Sequence, residues 1–190
     1  MSRTKTIIKI TFIFSALISC GGITQPMKEV TGPESVSIEP AADKTVLDSS
    51  CNDNIVYLKY YNDRFKYSIN YPDFLTPLGE PDNNDGQAFR SNSGEMELLV
   101  FGNNLTKGTF QEGYEDIVKV GFYADPEYLI NFSHFEGNRY EIRGKNRKDS
   151  FYLTSAFYGS FSVTVFITVP HSKEAEHASI IRNIQQSVNY

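Results

Sequence analysis

Aromatic residues are confined to one part of this 190-residue chain. It carries 14 Phe and 12 Tyr, and of these only Phe12 and Phe14 precede Tyr57. Ordering a chain costs entropy that burial of large apolar side chains must offset. A core therefore has to be built after about residue 54, and the stretch 54–190 is an ordinary size for one domain. With 18 Lys+Arg against 23 Asp+Glu, the chain has no basic surplus and is not expected to bind nucleic acid. Two cysteines, Cys20 and Cys51, are too few for a disulfide framework, and no Cys/His spacing reads as a structural metal site.

The start of the chain has its own logic. Arg3, Lys5 and Lys9 precede an apolar run from Ile10 to Ile18. Nine helical residues reach about 14 Å, roughly half of a bilayer's hydrocarbon core, so a cleaved signal fits better than a spanning helix. The run ends in Leu17-Ile18-Ser19-Cys20-Gly21-Gly22. This resembles a bacterial lipoprotein signal, with an aliphatic residue at −3, a small one at −1 and Cys at +1. The resemblance implies cleavage after residue 19 and lipidation of the Cys20 sulfur, hence a membrane partner and a place in the cell envelope. Two or more acyl chains hold firmly where one does not. Cys51 is then a lone thiol with no neighbouring basic residue to activate it.

Residues 20–53 contain no aromatic and include Pro26, Pro33 and Pro40 among many Gly, Ser, Thr, Asp and Glu. Such a stretch buries too little to order itself. It is expected to be a flexible linker of roughly 30 Å r.m.s. extent. Gly21, not Asp, follows Cys20, which in a Gram-negative cell points to the outer membrane, facing the periplasm.

From residue 55 the pattern is mainly of strands. Ile55–Tyr61 and Phe65–Tyr71 flank a polar turn, and the second alternates apolar with polar residues, as an antiparallel strand with one wet face does. Residues 77–86 read as loop. Strands follow at 87–91 and 95–101. Thr109-Phe110-Gln111-Glu112 fits a capping box, opening a helix whose Phe110, Tyr114, Ile117, Val118 and Gly121 share a face and which Asp125-Pro126 stops. Further strands are expected at 128–135, 139–143, 151–158 and 161–169. In the last, Phe161, Val163, Val165, Ile167 and Val169 line one face. Ser172 is expected to cap a final helix with an apolar stripe of Ala178, Ile181, Ile184 and Val188. Strands so outnumber helices that a parallel α/β arrangement fails. The chain should be α+β, a single antiparallel sheet packed with helices.

That order, together with Tyr60-Tyr61-Asn62-Asp63-Arg64-Phe65, Tyr67-Ser68-Ile69-Asn70-Tyr71-Pro72 and the strand pair ending at Val169-Pro170, resembles the PsbP-like fold over about 55–190. It is most similar to uncharacterised secreted bacterial domains. The shared phrases are core and turn residues, so the resemblance implies a fold and carries over no site.

Four features invite chemistry. Asp82-Asn83-Asn84-Asp85-Gly86 suggests a calcium loop, but aligning Gly86 with the obligatory glycine puts Pro81 and Asn92 where oxygen ligands belong; a turn is expected. His171 and His177 are six apart and flank Glu174 and Glu176, a spacing that does not put both imidazoles on one helical face as zinc requires. No metal or cofactor is expected. His134 shares strand parity with Tyr128, Ile130 and Phe132, so it should face inward, where a partnered histidine can serve as a general base. Arg139, Arg143, Lys145 and Arg147, with Lys148, form a basic cluster in an acidic protein, a weak candidate site for an anionic ligand. No Ser, Cys or carboxylate constellation can be assigned around His134. The expectation is a non-catalytic, membrane-anchored binding or accessory module whose partner is an envelope protein or an anionic ligand. The alternatives are a small envelope hydrolase using His134 and an envelope assembly or stress factor.

Overall fold

In a computed structural model of the protein, residues 55–121 and 127–190 are described. The signal segment, Cys20, the linker, Cys51 and the Asp125-Pro126 helix stop lie outside them. Strand β1 (Tyr57–Asn62) and β2 (Tyr67–Pro72) form a two-stranded antiparallel ribbon. The other strands are β3 (Leu75–Pro77), β4 (Gly86–Ser91), β5 (Glu97–Asn104), β6 (Leu129–Glu136), β7 (Arg139–Lys145), β8 (Asp149–Phe157) and β9 (Phe161–Pro170). They make one antiparallel sheet in the order β3-β4-β5-β9-β8-β7-β6. Helix α1 (Phe110–Val120) joins β5 to β6, and α2 (Glu174–Gln186) follows β9. The domain is α+β, as its pattern requires. The first hairpin stands apart from the large sheet, and β3 adds a strand that three residues ending in proline could not announce.

Pairing registers show how the layers form. Successive side chains on a strand point to opposite faces. On one face Val163, Val165, Ile167 and Val169 of β9 meet Leu98, Val100 and Phe89 and are covered by the hairpin and by Ile180, Ile181 and Ile184 of α2. On the other face Tyr140, Ile142, Phe151 and Leu153 are covered by Phe110, Tyr114 and Ile117 of α1. The two helices thus cover opposite faces of opposite halves of the sheet. Tyr67, fully buried, fixes the hairpin by donating its hydroxyl to Val100 O at 3.3 Å. The Phe65 ring lies directly on Gly102, where a Cβ would collide with it.

The helix ends follow partly different rules from those expected. Thr109 and Glu112 do form the capping box, with Thr109 Oγ1 accepting from Glu112 N at 3.1 Å and Glu112 Oε2 from Thr109 N at 2.7 Å. The helix stops at Val120, with Gly121 at φ 90° as its cap, and Val118 is exposed rather than packed. Ser172 does not cap α2. It sits in a single 3-10 turn, His171–Lys173, and α2 begins after it without a side-chain cap. The buried stripe of α2 is Ile180, Ile181, Ile184 and Gln185, and Ala178 is exposed.

The Asp82–Gly86 segment is a turn that docks on the hairpin. Asn62 Nδ2 donates to Asn84 O at 3.0 Å and Arg64 Nη1 to Asn83 O at 2.6 Å. Those carbonyls are committed within the protein. Among the described residues, no group of three His, Cys, Asp or Glu is placed to hold a metal ion.

Candidate functional site

The face under α2 changes character as it runs outward. Reading rungs from β9 to β6 gives Val169–Ser150–Lys145–Leu129, Ile167–Tyr152–Arg143–Phe132, Val165–Thr154–Glu141–His134 and Val163–Ala156–Arg139–Glu136. Apolar side chains on β9 give way to hydroxyls on β8 and charges on β7. Helix α2 lies along this boundary, tied at both ends to β8. At its start Glu174 takes hydrogen bonds from Tyr152 (2.5 Å) and Ser150 (2.8 Å), and near its end Gln185 Nε2 donates to Thr154 Oγ1 at 2.5 Å.

A polar cluster gathers at the start of α2. His171 Nδ1 lies 3.0 Å from Ser150 Oγ, His171 Nε2 lies 3.1 Å from Asn146 O, and Lys145 Nζ approaches Glu174 at 3.9 Å. A carbonyl oxygen can only accept, so Nε2 carries a hydrogen. The single hydroxyl hydrogen of Ser150 goes to Glu174, and His171 Nδ1 faces the same hydroxyl oxygen. The hydrogen bonds from Tyr152 and Ser150 hold the Glu174 carboxyl below the usual glutamate range, with Lys145 and His171 adding attraction against a smaller burial penalty. Burial and the Glu174 carboxylate push the Tyr152 hydroxyl well above the ordinary tyrosine value. Glu174 also sits in the first turn of α2, where the helix dipole favours an anion.

A serine, a histidine and a carboxylate in contact resemble hydrolytic machinery, but the arrangement differs. In a nucleophilic triad the serine hydroxyl is open to substrate and donates to the ring, and the carboxylate sits on the ring's far nitrogen. Here Ser150 is 1% exposed and donates to Glu174, while the far nitrogen of His171 meets the backbone carbonyl of Asn146. The cluster ties α2 to the sheet.

His134 departs from its expected place. The β6–β7 register shifts between Ile130 and Phe132, a bulge that inserts Asn131 and reverses the parity beyond it. Ile130 and Phe135 pack toward α1, while Phe132 and His134 turn to the opposite, exposed face. The His134 side chain is 60% exposed and meets Glu136 at 3.5 Å. It is not an inward-facing histidine.

The basic cluster is brought together in part. Arg139, Arg143 and Lys145 share a face, but each has an internal partner. Arg139 Nη2 donates to Gln185 O (3.3 Å), and Arg143 Nε donates to Glu141 (2.7 Å) while its guanidinium lies 4.8 Å from the Phe132 ring centre. Lys145 faces Glu174, and Arg147 lies apart in the next turn, 3.0 Å from Glu127. Sequence reasoning passed over Ser150 and Tyr152, and weighed His171 and Glu174 only as metal ligands. A signal was present: Ser150 and Tyr152 share parity on a strand otherwise rich in apolar residues.

No family model matches this chain, and no curated protein sequence does. Among solved structures, the solution structure of cyanobacterial PsbP (CyanoP) from Synechocystis sp. PCC 6803 superposes with a TM-score of 0.54 at 12% identity, covering 76% of this chain and 97% of that one. The fold is PsbP-like. A structure from Bacteroides thetaiotaomicron VPI-5482 aligns at a TM-score of 0.46 and 11% identity, over 69% of this chain and 47% of that one, and adds nothing to the assignment. At such identities a PsbP-like fold carries no residue roles with it.

Proposed function

We propose that this chain is a lipid-anchored protein of the bacterial cell envelope whose PsbP-like domain works as a non-catalytic binding or accessory module. The observation that carries the reading is the burial of the Ser150 hydroxyl, which is 1% exposed and donates to Glu174, fastening α2 to the sheet. The fold supports it, since a sheet with helices on both faces presents surfaces to a partner. The Leu17–Cys20 motif supports the anchor, with two or three acyl chains at Cys20 holding the chain at a membrane and residues 21–53 as the leash. In a Gram-negative cell the domain would face the periplasm from the outer membrane.

Radiolabelled palmitate fed to cells should enter the wild-type chain and not Cys20→Ala, and the variant should move from the membrane to the soluble fraction. Equal labelling of the two would sink the anchored reading. Ser150→Ala and His134→Ala should leave any function measured in cells intact. Loss of function in a folded Ser150→Ala or His134→Ala protein would favour a hydrolase instead.

A further inference from the structure

A strand at the edge of a sheet has free backbone groups along one side, and proteins guard such edges with short strands, prolines, lysines or bulges. Three strands here show such guards. On one side the large sheet ends in β3, three residues long and finishing at Pro77. In the hairpin, β1 carries the exposed Lys59 and β2 is partly closed by the pairing of Ser68 with Asn189. The other side of the large sheet ends in β6, eight residues with no lysine, arginine or proline among them. Its one guard is the bulge at Asn131. Beyond the bulge, Phe132–Glu136 runs as a regular segment to the Gly137-Asn138 turn. Among the described residues, no backbone group bonds to the outer side of that segment.

We propose that β6 pairs antiparallel with β6 of a second copy of this chain, joining two sheets into one. The symmetry of the segment selects a second copy as the occupant. His134 is the midpoint of Phe132–Glu136, so a two-fold axis there pairs the whole segment with itself. Phe132 lies opposite the partner's Glu136, Ser133 opposite the partner's Phe135, and His134 opposite the partner's His134. Shifting the register by two residues spoils it. An axis at Ser133 sets Phe135 against the bulged Asn131, and an axis at Phe135 runs the ladder into the turn.

The backbone agrees with that register. The two-residue turn, with Gly137 at φ 59°, is closed by the Glu136–Arg139 pair, whose N–H and C=O groups face each other. Alternation then turns the groups of Phe132 and His134 toward β7 and those of Ser133 and Phe135 outward. Each outward Ser133 therefore meets an outward Phe135, and both pairs exchange N–H···O bonds in the two directions. Charge agrees as well. Arg143 lies over the Phe132 ring, 4.8 Å from its centre, and gives its Nε to Glu141 at 2.7 Å. The partner's Glu136 arrives on the next strand, ~4.8 Å beyond Phe132, within reach of the remaining guanidinium donors. The two-fold axis repeats this contact. Glu136 is 86% exposed in the single chain and so is free to take it up. The inference goes beyond the binding-module reading and does not depend on the anchor.

The test is disulfide trapping in the purified full-length chain, in detergent, carrying Cys51→Ala. At the axis His134 forms a non-hydrogen-bonded pair, with Cα atoms about 4.5 Å apart, inside the range a disulfide needs. The ladder is made by the main chain and does not need the imidazole. On mild oxidation His134→Cys should give a linked dimer at least ten-fold faster than Lys59→Cys on the guarded β1 edge, with the Cys51→Ala parent setting the background from Cys20. Ser133→Pro removes an outward N–H and leaves the β6–β7 bonds in place. It should slow trapping at least ten-fold and turn the dimer seen by sedimentation into a monomer. Ser133→Lys sets a charge against the partner's Phe135 and should do the same, so the outcome does not hang on how the strand accepts proline. Trapping of His134→Cys no faster than Lys59→Cys, or trapping that survives both Ser133 substitutions, overturns the proposal. Linkage in cells to a different protein in place of a second copy also overturns it, and assigns the edge to an extended segment of that protein.

Discussion

The half of the sheet under the hairpin and α2 and the half under α1 are built unequally. Among the described residues, the first gathers sixteen buried apolar side chains, from Phe65 to Ile184, and the second gathers four, Tyr140, Ile142, Phe151 and Leu153. Three isoleucines of α2 are buried to within a few per cent, whereas α1 covers its half with half-buried rings and Ile117 and buries no residue fully. Both helices are amphipathic and similar in length. What separates them is what they lie on: α2 crosses the central strands β8 and β9 and meets a second layer in the hairpin, while α1 lies on β6–β8 at the margin. Helices draw most of their stability from such packing, so the lesson is that position in the sheet sets how firmly each is held.

The largest effect should come from the heavier half. Ile184→Ala leaves a cavity in a fully buried site and should cost about 2–5 kcal/mol, read from urea unfolding of the purified chain. Ile117→Ala, half-buried on α1, should cost about 1 kcal/mol. Equal losses would break the comparison. A smaller and more local effect is expected at the cap of α1. Thr109→Ala removes the acceptor for Glu112 N and should cost about 1 kcal/mol. Amide hydrogen exchange should quicken through Phe110–Val120 while the amides of β5 and β9 keep their protection. Uniform acceleration would show that the two halves open as one unit.

The smallest effect concerns the clasp of α2. The Glu174 carboxyl titrates below its ordinary value in the folded protein, so the unfolded chain binds its proton first as the pH falls. The stabilisation is therefore complete above the unfolded glutamate value and is lost as pH drops through the folded one. Glu174→Gln should lower the melting temperature modestly at pH 7 and make the difference from wild type vanish in strong acid. The side chain is 39% exposed, so water screens it and the effect stays small. A difference that grows on acidification would contradict the assigned hydrogen bonds.

How much could be read beforehand depended on how local the cause was. The Thr109–Glu112 box was legible because both partners lie within one turn. The inward row on β9 was legible because five alternating apolar residues admit one orientation. His134 was misplaced because parity was carried along β6 through Asn131, and the bulge there is set by pairing with β7. The Glu174 cluster was hidden for a related reason. Its hydroxyls come from residues 21 to 24 positions away, and nothing local says that β8 will lie beneath the first turn of α2.

By itself the sequence determined where the core lies, that strands dominate it, and that Thr109 caps the first helix, because aromatic content, alternation and capping act over a few residues. Tertiary structure decided that the first hairpin forms a separate layer, that His134 faces solvent, that the basic residues of β7 are already partnered, and that β6 lies at the edge of the sheet. Those outcomes depend on strand register and on which elements stack. Both are settled when distant segments compete to bury the same apolar surface.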